Sequence, residues 1–161
     1  MTTIVAVKNR MLADSKVTLG KGYSYPTTKI IKARNMLVGA AGHAGDCSRF
    51  LEWATEDFRQ KAKPKFECPD GHEDAIDGLV VKLDGIFYFC PSYPSPEKIN
   101  AEFYAIGSGS KAARAAMILG ATPEKAMDIA CLVDDYSGSP ILILELDNGK
   151  EKIKQDDIPA L

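Results

Sequence analysis

The opening residues MTTIVAVK place two threonines directly after the first methionine. A threonine hydroxyl is a weak nucleophile until a base removes its proton, and an N-terminal threonine carries such a base in its own α-amine. The ordinary pKa of an α-amine, about 7.7–8.0, leaves a useful neutral fraction at neutral pH, and a nearby cation enlarges that fraction. Removal of Met1 would therefore make Thr2 both nucleophile and base. The alternative is that Thr2 and Thr3 only begin a β-strand, where branched side chains pack well.

This chemistry also needs a lysine near the amine, a group that fixes the lysine, and a backbone N–H that binds the developing oxyanion. Candidates are Asp14 in LADSKVTLG, Lys29 in TTKII, and the small-residue turn AAGHAGD (40–46), which leads into a helix whose first N–H groups favour negative charge. Each also has an ordinary explanation: a turn aspartate, a solvated lysine and a common strand-to-helix turn.

Alternating and helical apolar patterns predict the elements that would position these residues. The predicted strands are 3–8, 11–17, 29–33, 36–42, 77–83, 86–90, 103–107, 140–146 and 151–155. The predicted helices are 44–62, 110–119 and 122–134, and 63–74 and 91–98 are predicted loops. Turns are predicted at Asn9-Arg10, Arg34-Asn35, Asp84-Gly85 and Asn148-Gly149. The segment 140–146 is almost continuously apolar, which predicts a strand covered on both faces.

Hairpin strands with helices in separate blocks indicate an α+β fold, and the 161 residues predict one domain, 1–161. The formal net charge of -2 gives no electrostatic reason to expect nucleic acid or anionic membranes as partners. No apolar run approaches the roughly 20 residues of a spanning helix, and the basic start MTTIVAVKNR is unlike a signal peptide. Four cysteines without a C-x-x-C pair indicate reduced thiols. We expect a cytoplasmic protein.

Three further patterns could carry chemistry. The segment GSGSK (107–111) superficially matches a phosphate loop, but the upstream glycine is absent and Ala112 replaces the expected Ser or Thr. Cys68 and His72 have the spacing of half a zinc site, but His43 is the only other histidine, so a plain loop is favoured and no metal is predicted. The aromatic residues of the first predicted helix, Phe50, Trp53 and Phe58, indicate core or subunit contact.

The motifs TTIVAV, ADSKVTLG, KI, AGHAGDC, IGSGS and DDYSG occur in the order found in one family. This pattern resembles the proteasome β-subunit family and its bacterial relative, the HslV protease, from Thr2 to about Leu146. The resemblance implies an N-terminal-nucleophile (Ntn) hydrolase fold, an αββα sandwich of two antiparallel sheets between helix layers, and a threonine peptidase without a cofactor.

The resemblance also implies a role for individual residues. Thr2 matches the nucleophile exposed by loss of Met1, Lys29 matches the lysine that lowers the pKa of the amine, and Asp14 matches the aspartate that orients this lysine. The polar set around the Thr2 amine and hydroxyl is matched by Ser108, Asp134 and Ser137, with Asp134 preferred over Asp135 because it stands three residues before the serine. The oxyanion donor is matched by the N–H of Gly42. Substrate-binding positions are matched by Val17, Thr18, Ala40, Ala44 and Ser48, which implies a roomy, mostly apolar pocket without a fixed charge for the residue before the scissile bond.

The sequence departs from the family after the first helix, where 63–74 is too short for the second long outer helix. We therefore expect that helix to be shortened or lost. The resemblance implies a peptide or unfolded protein as substrate, a homo-oligomeric ring, and an ATP-dependent unfoldase as a further partner. Two alternatives stay open: a non-catalytic ring or scaffold subunit of the same fold, and an Ntn amidase that acts on small molecules.

Overall fold

Two five-stranded antiparallel sheets form the centre of the protein. This computed structural model describes residues 1–19, 22–59, 62–67 and 76–146, and the backbone of strand 153–155. The first sheet has the order β10-β1-β2-β11-β12, and the second has the order β5-β6-β7-β8-β9. A separate two-stranded sheet pairs β3 with β4.

The elements have the following bounds. The strands are β1 Thr3–Val7, β2 Arg10–Ala13, β3 Lys16–Thr18, β4 Ser24–Pro26, β5 Ile30–Ala33, β6 Met36–Gly42, β7 Ile76–Lys82, β8 Gly85–Phe89, β9 Glu97–Ile99, β10 Phe103–Gly107, β11 Leu142–Glu145 and β12 Ile153–Gln155. The helices are α1 Ala44–Thr55, α2 Ser110–Ile118 and α3 Pro123–Val133. No helix among the described residues is long and apolar enough to cross a membrane.

Three apolar clusters define four layers. The central cluster joins the two sheets and includes Ile4, Met11, Leu37 and Leu79. A second cluster packs α2 and α3 on the first sheet through small residues and methionines such as Met127. The third packs α1 on the second sheet, and its members include Phe50, Trp53, Val80 and Phe89. The predicted α+β class and the αββα sandwich are confirmed.

Strand β11 confirms that the segment 140–146 is covered on both faces. Leu142 and Leu144 pack against the central cluster, whereas Ile143 packs in the cluster beneath α2 and α3. Alternate side chains of a strand point to opposite faces, so an apolar run is needed where both faces meet a core.

Helix α1 is shorter than predicted, ending at Thr55 instead of residue 62. Asp57 and Phe58 have φ values of 58° and 55°, which a continuing helix excludes. This reversal brings the Phe58 ring back onto α1, with centroids 5.5 Å from Phe50 and 4.9 Å from Trp53. The apolar periodicity correctly marked Phe58 as a core residue, but Phe58 reaches the core from a turn and not from the helix.

The predicted strand 11–17 is two strands, because the chain leaves the first sheet after Ala13 and pairs β3 with β4 beyond it. The short strand β9 begins inside the predicted loop 91–98, next to Pro96, and β4, which ends at Pro26, was not predicted. The β7–β8 turn centres on Leu83 and Asp84, with Gly85 already paired to Lys82, and the β1–β2 turn centres on Lys8 and Asn9.

The expected loss of an outer helix is partly visible. Residues 62–67 form neither helix nor strand, whereas 68–75 lie outside the described residues. The candidate half zinc site, Cys68 and His72, and the predicted Asn148-Gly149 turn lie outside the described residues as well. Across the ranges that the structure covers, no group of three or more His, Cys, Asp or Glu is placed to hold a metal ion.

Candidate active site

Thr2 precedes β1 and is 8% exposed, at the wall of a pocket of about 290 Å³. The pocket is lined by Met1, Thr2, Ala41, Gly42, Ile76, Asp77, Gly107 and Ser108. Gly107 pairs with Thr3 across β10 and β1, with a φ of 92°. A Cβ atom there would lie 1.8 Å from the Thr2 carbonyl oxygen. Only glycine therefore allows this close approach beside Thr2.

Asp14 and Lys29 form a buried ion pair next to β1. Their side chains are 0% and 6% exposed, and the Lys29 Nζ lies 2.9 and 3.0 Å from the two Asp14 oxygens. The Asp14 carboxylate also accepts hydrogen bonds from the backbone N–H groups of Thr3 at 2.8 Å, Gly138 at 3.1 Å and Lys16 at 3.2 Å. These additional hydrogen bonds help to offset the free-energy cost of removing the two charges from water.

The Lys29 ammonium lies beside the peptide bond that joins Met1 to Thr2. Its Nζ donates to the Met1 carbonyl oxygen at 2.9 Å and to the Lys16 carbonyl oxygen at 2.6 Å. A peptide oxygen and the nitrogen of the next residue lie about 2.3 Å apart, so the Lys29 Nζ lies within about 5.2 Å of the Thr2 nitrogen. Burial lowers the pKa of Lys29 below its ordinary value, and the Asp14 carboxylate partly opposes this shift.

A second polar group surrounds Asp134, which caps the C-terminus of α3. Its Oδ2 accepts hydrogen bonds from Ser137 Oγ at 2.5 Å and Ser108 Oγ at 2.6 Å. Partial burial favours a higher pKa for Asp134, but the hydrogen bonds from Ser108, Ser137 and the Tyr136 N–H together hold this pKa below its usual value. Asp135 instead offers its backbone oxygen to Lys16 Nζ, so it is Asp134 that joins the serines.

Thr3 links the two polar groups. Its N–H binds Asp14, and its Oγ1 lies 2.6 Å from Ser137 Oγ. Because the single hydroxyl proton of Ser137 is directed at Asp134, the Thr3 hydroxyl donates to Ser137. Ser108 also directs its proton at Asp134, and its contact to the Thr2 carbonyl oxygen is long, at 3.5 Å.

Gly42 ends β6 with a φ of 128° and lines the pocket beside Thr2. The following His43 caps α1 without a side-chain hydrogen bond to the helix. The turn predicted to supply the oxyanion donor therefore adjoins the predicted nucleophile. The oxyanion role of the Gly42 N–H stays a prediction.

The five predicted substrate-contact residues lie outside the lining of the pocket around Thr2. Val17 is half-buried and Thr18 is exposed, both on β3, while Ala44 and Ser48 are exposed one turn apart on α1. Ala40 is 4% exposed and packs beneath α1 with the aromatic cluster. Ala41 lines the pocket instead, because successive strand residues face opposite sides. Their assignment to substrate binding stays a prediction.

Sequence reasoning missed Thr3, Gly107 and Asp77 as parts of this region. The Gly-Ser-Gly segment was a signal that could have indicated a close contact, since the glycines give room to the Thr2 carbonyl oxygen and, at Gly109, to Thr3 Oγ1. No signal identified Asp77, since its place beside Thr2 depends on the register that pairs it with Ala41.

The fold of this chain is similar to that of several solved structures. The structure of BPH from Thiobacillus denitrificans in complex with epoxomicin superposes with a TM-score of 0.64 at 20% identity, covering 91% of this chain and 98% of that one. BPH from the same organism gives a TM-score of 0.62 at 21% identity, with the same coverage. Eukaryotic HslV from Trypanosoma brucei gives 0.58 at 20% identity, covering 89% of this chain and 99% of that one.

The chain has the HslV fold. No family model matches the sequence, and no curated protein matches it significantly. The HslV fold covers about nine-tenths of this chain and almost the whole length of each solved chain. At this level of identity the likeness concerns the fold, and the chemistry has to be argued from the residues themselves.

Proposed function

We propose that the protein is a threonine-type endopeptidase of the HslV and proteasome kind, with Thr2 as its N-terminal nucleophile. The observation that carries the proposal is the buried Lys29, bound to Asp14 and to the carbonyl oxygen that precedes the Thr2 nitrogen. Once Met1 is removed, the fixed ammonium faces the free α-amine of Thr2. Its positive charge lowers the pKa of that amine and increases the fraction able to act as a base.

The reaction proceeds in two steps, formation of an ester between Thr2 and the substrate and hydrolysis of that ester. The α-amine takes the proton of the Thr2 hydroxyl, and Oγ attacks the peptide carbonyl carbon while the Gly42 N–H binds the oxyanion; such a donor is worth about 10²–10³ in rate. The C–N bond breaks, and the leaving nitrogen takes the proton from the amine. Water, deprotonated by the same amine, then hydrolyses the ester to a carboxylic acid and restores Thr2.

The polar group around Asp134 has a supporting role in this proposal. Ser108 and Ser137 donate hydrogen bonds to the carboxylate, which leaves the lone pairs of Ser108 to accept a hydrogen bond from the Thr2 amine. The ionised Asp134 also compensates the positive charge that the amine gains during the attack.

The proposal includes a setting for the enzyme. Peptide or unfolded protein is the substrate, a homo-oligomeric ring of this chain encloses the active sites, and an ATP-dependent unfoldase is a further partner. The protein works in the cytoplasm and needs no cofactor for this mechanism. BPH was solved with epoxomicin, so an epoxyketone is a suitable probe.

Intact mass of the purified protein tests the proposal, before and after treatment with a peptide epoxyketone, which needs both a hydroxyl and a free amine. We expect loss of Met1 and one adduct per chain. Thr2→Ala removes the hydroxyl and is expected to give no adduct and no peptide cleavage, whereas Thr2→Ser keeps the hydroxyl and retains adduct formation. A processed wild-type chain without adduct or cleavage would favour the non-catalytic scaffold.

A further inference from the structure

The pocket beside Thr2 carries one charged side chain among its described lining residues, Asp77. Asp77 is the second residue of β7, is half-buried, and lines the pocket together with Thr2, Gly107 and Ser108. The other walls are formed largely by small or apolar residues, among them Ala41 and Ile76. A carboxylate thus stands in a mostly apolar recess that adjoins the proposed nucleophile.

The Asp77 carboxylate has a fixed orientation. Its Oδ1 accepts a hydrogen bond of 2.5 Å from the Tyr88 hydroxyl. The Tyr88 ring is held by edge contacts with Tyr93 and Tyr104, at centroid distances of 5.8 and 5.9 Å. Burial raises the pKa of Tyr88, which keeps the hydroxyl protonated as a donor. One carboxylate oxygen is therefore oriented by the protein, and the group keeps further lone pairs for a ligand.

The mechanism determines which part of a substrate enters this pocket. The Thr2 amine returns its proton to the leaving nitrogen, so the leaving segment must begin next to the Thr2 nitrogen. Met1 is attached to that nitrogen, and Met1 itself lines the pocket. The pocket therefore faces the residues that follow the scissile bond.

We propose that Asp77 makes this pocket a subsite for a lysine or arginine that follows the scissile bond. The alkyl part of such a side chain would lie along Ala41 and Ile76, with its cationic end at the Asp77 carboxylate. The inference rests on the proposed peptidase function and adds a substrate class to it. It differs from the uncharged pocket predicted for residues before the scissile bond.

Two substrate series test this subsite. One series keeps the residues before the scissile bond constant and places lysine, its neutral isostere norleucine, or glutamate after it. The other is a peptide aminocoumarin, which has no amino acid after the scissile bond. For the wild type we expect kcat/KM to favour lysine over norleucine by about five- to tenfold at low salt, the range for a partly shielded ion pair. Glutamate should be the poorest substrate, and salt should reduce the differences.

Asp77→Asn is nearly isosteric and keeps an acceptor for Tyr88, so we expect it to make the lysine and norleucine peptides equal. Asp84→Asn removes the same charge at the opposite end of β7, roughly 20 Å away, and should retain the wild-type preference. Equal cleavage of lysine and norleucine peptides by a wild type that hydrolyses the aminocoumarin would overturn the subsite alone. If the wild type hydrolysed neither of the two series, the peptidase function would be overturned, and the subsite with it.

Discussion

At the scale of single residues, Asp14 and Lys29 depend on each other. Both are buried, so removing one leaves the other charge without its partner, at a cost of about 3–5 kcal/mol in unfolding free energy. We predict that Lys29→Met and Asp14→Asn each destabilise the fold by this amount, and that the double variant loses less than the sum. Urea unfolding of the four proteins measures the coupling.

Peptide cleavage by the same four proteins separates stability from catalysis. All three variants should be inactive at temperatures where they are folded, since none supplies a fixed ammonium near the Thr2 nitrogen. Near-normal activity of Lys29→Met would mean that the pair has a purely structural role.

Asp134 gives the second prediction at this scale, a dependence of stability on pH. Its pKa is lower in the folded protein than in the unfolded chain, so folding favours its ionised form. The resulting stabilisation is complete above the ordinary carboxyl pKa of about 3.9 and disappears as the pH falls through the lower native value. We predict that Asp134→Asn is less stable than the wild type near neutral pH and that the difference shrinks in acid.

Urea unfolding of both proteins between about pH 6 and about pH 2.5 measures this difference. Ser137→Ala is a useful companion, because it removes one donor and keeps the charge; its pH dependence should be smaller than that of the wild type but in the same direction. A difference between wild type and Asp134→Asn that stays constant with pH would contradict the prediction.

At the scale of elements, the pairing of β10 with β1 holds Thr2 in place through Gly107. Alanine there meets two obstacles, a φ of 92° and a Thr2 carbonyl oxygen 1.8 Å from the added Cβ. Gly120 provides a matched control, since its φ is 94° and no atom lies within 4 Å of an added Cβ. We predict that Gly120→Ala costs about 1–2 kcal/mol in unfolding free energy, the strain of the left-handed backbone alone.

Gly107→Ala should cost several kcal/mol more than Gly120→Ala, because the two strands must separate at Thr2. Thermal and urea unfolding compare the two variants, and peptide cleavage should be lost only in Gly107→Ala. Equal stability of the two variants would mean that the strands accommodate a side chain without displacing Thr2.

Sequence reasoning predicted well those elements whose apolar pattern follows directly from the faces that they bury. The segment 140–146 is apolar throughout because both of its faces meet a core, and α2 and α3 have clear helical stripes. The misplaced boundaries have longer-range causes. The chain leaves the sheet near Asp14 to bring its carboxylate to Lys29 and Gly138, and α1 ends early because Phe58 packs back onto it. Such contacts depend on residues distant in sequence, which periodicity does not report.

The candidate site shows the same limit. Thr2, Asp14 and Lys29 were selected from the sequence because their chemistry forms a set, and the fold brings the charged pair to the start of β1. Thr3, Asp77 and Gly107 contribute through strand register and close packing. The role of these three residues can be recognised only when the partner strand of each is known.

At the scale of the whole molecule, the fold and the proposed chemistry place different demands on the chain terminus. Met1 is 62% exposed, and its carbonyl oxygen binds Lys29 without disturbing the ion pair with Asp14. The sandwich can therefore form with a residue still attached to Thr2. The proposed catalysis cannot take place in such a chain, because an acylated Thr2 nitrogen is an amide and has no basic lone pair.

We predict that two preparations of one fold will differ in activity alone. One is produced as a fusion that is cleaved to leave Thr2 at the N-terminus, and the other keeps an uncleaved extension before Thr2. Both should give the same unfolding free energy and the same number of chains per assembly by sedimentation, while only the first cleaves peptides and accepts an epoxyketone. Cleavage of the extended protein at the terminus would be visible as a change in its intact mass, so activity can be assigned to processed chains. Activity in a chain that demonstrably retains its extension would show that the base is another group, and the charged pair at Lys29 would then need a different explanation.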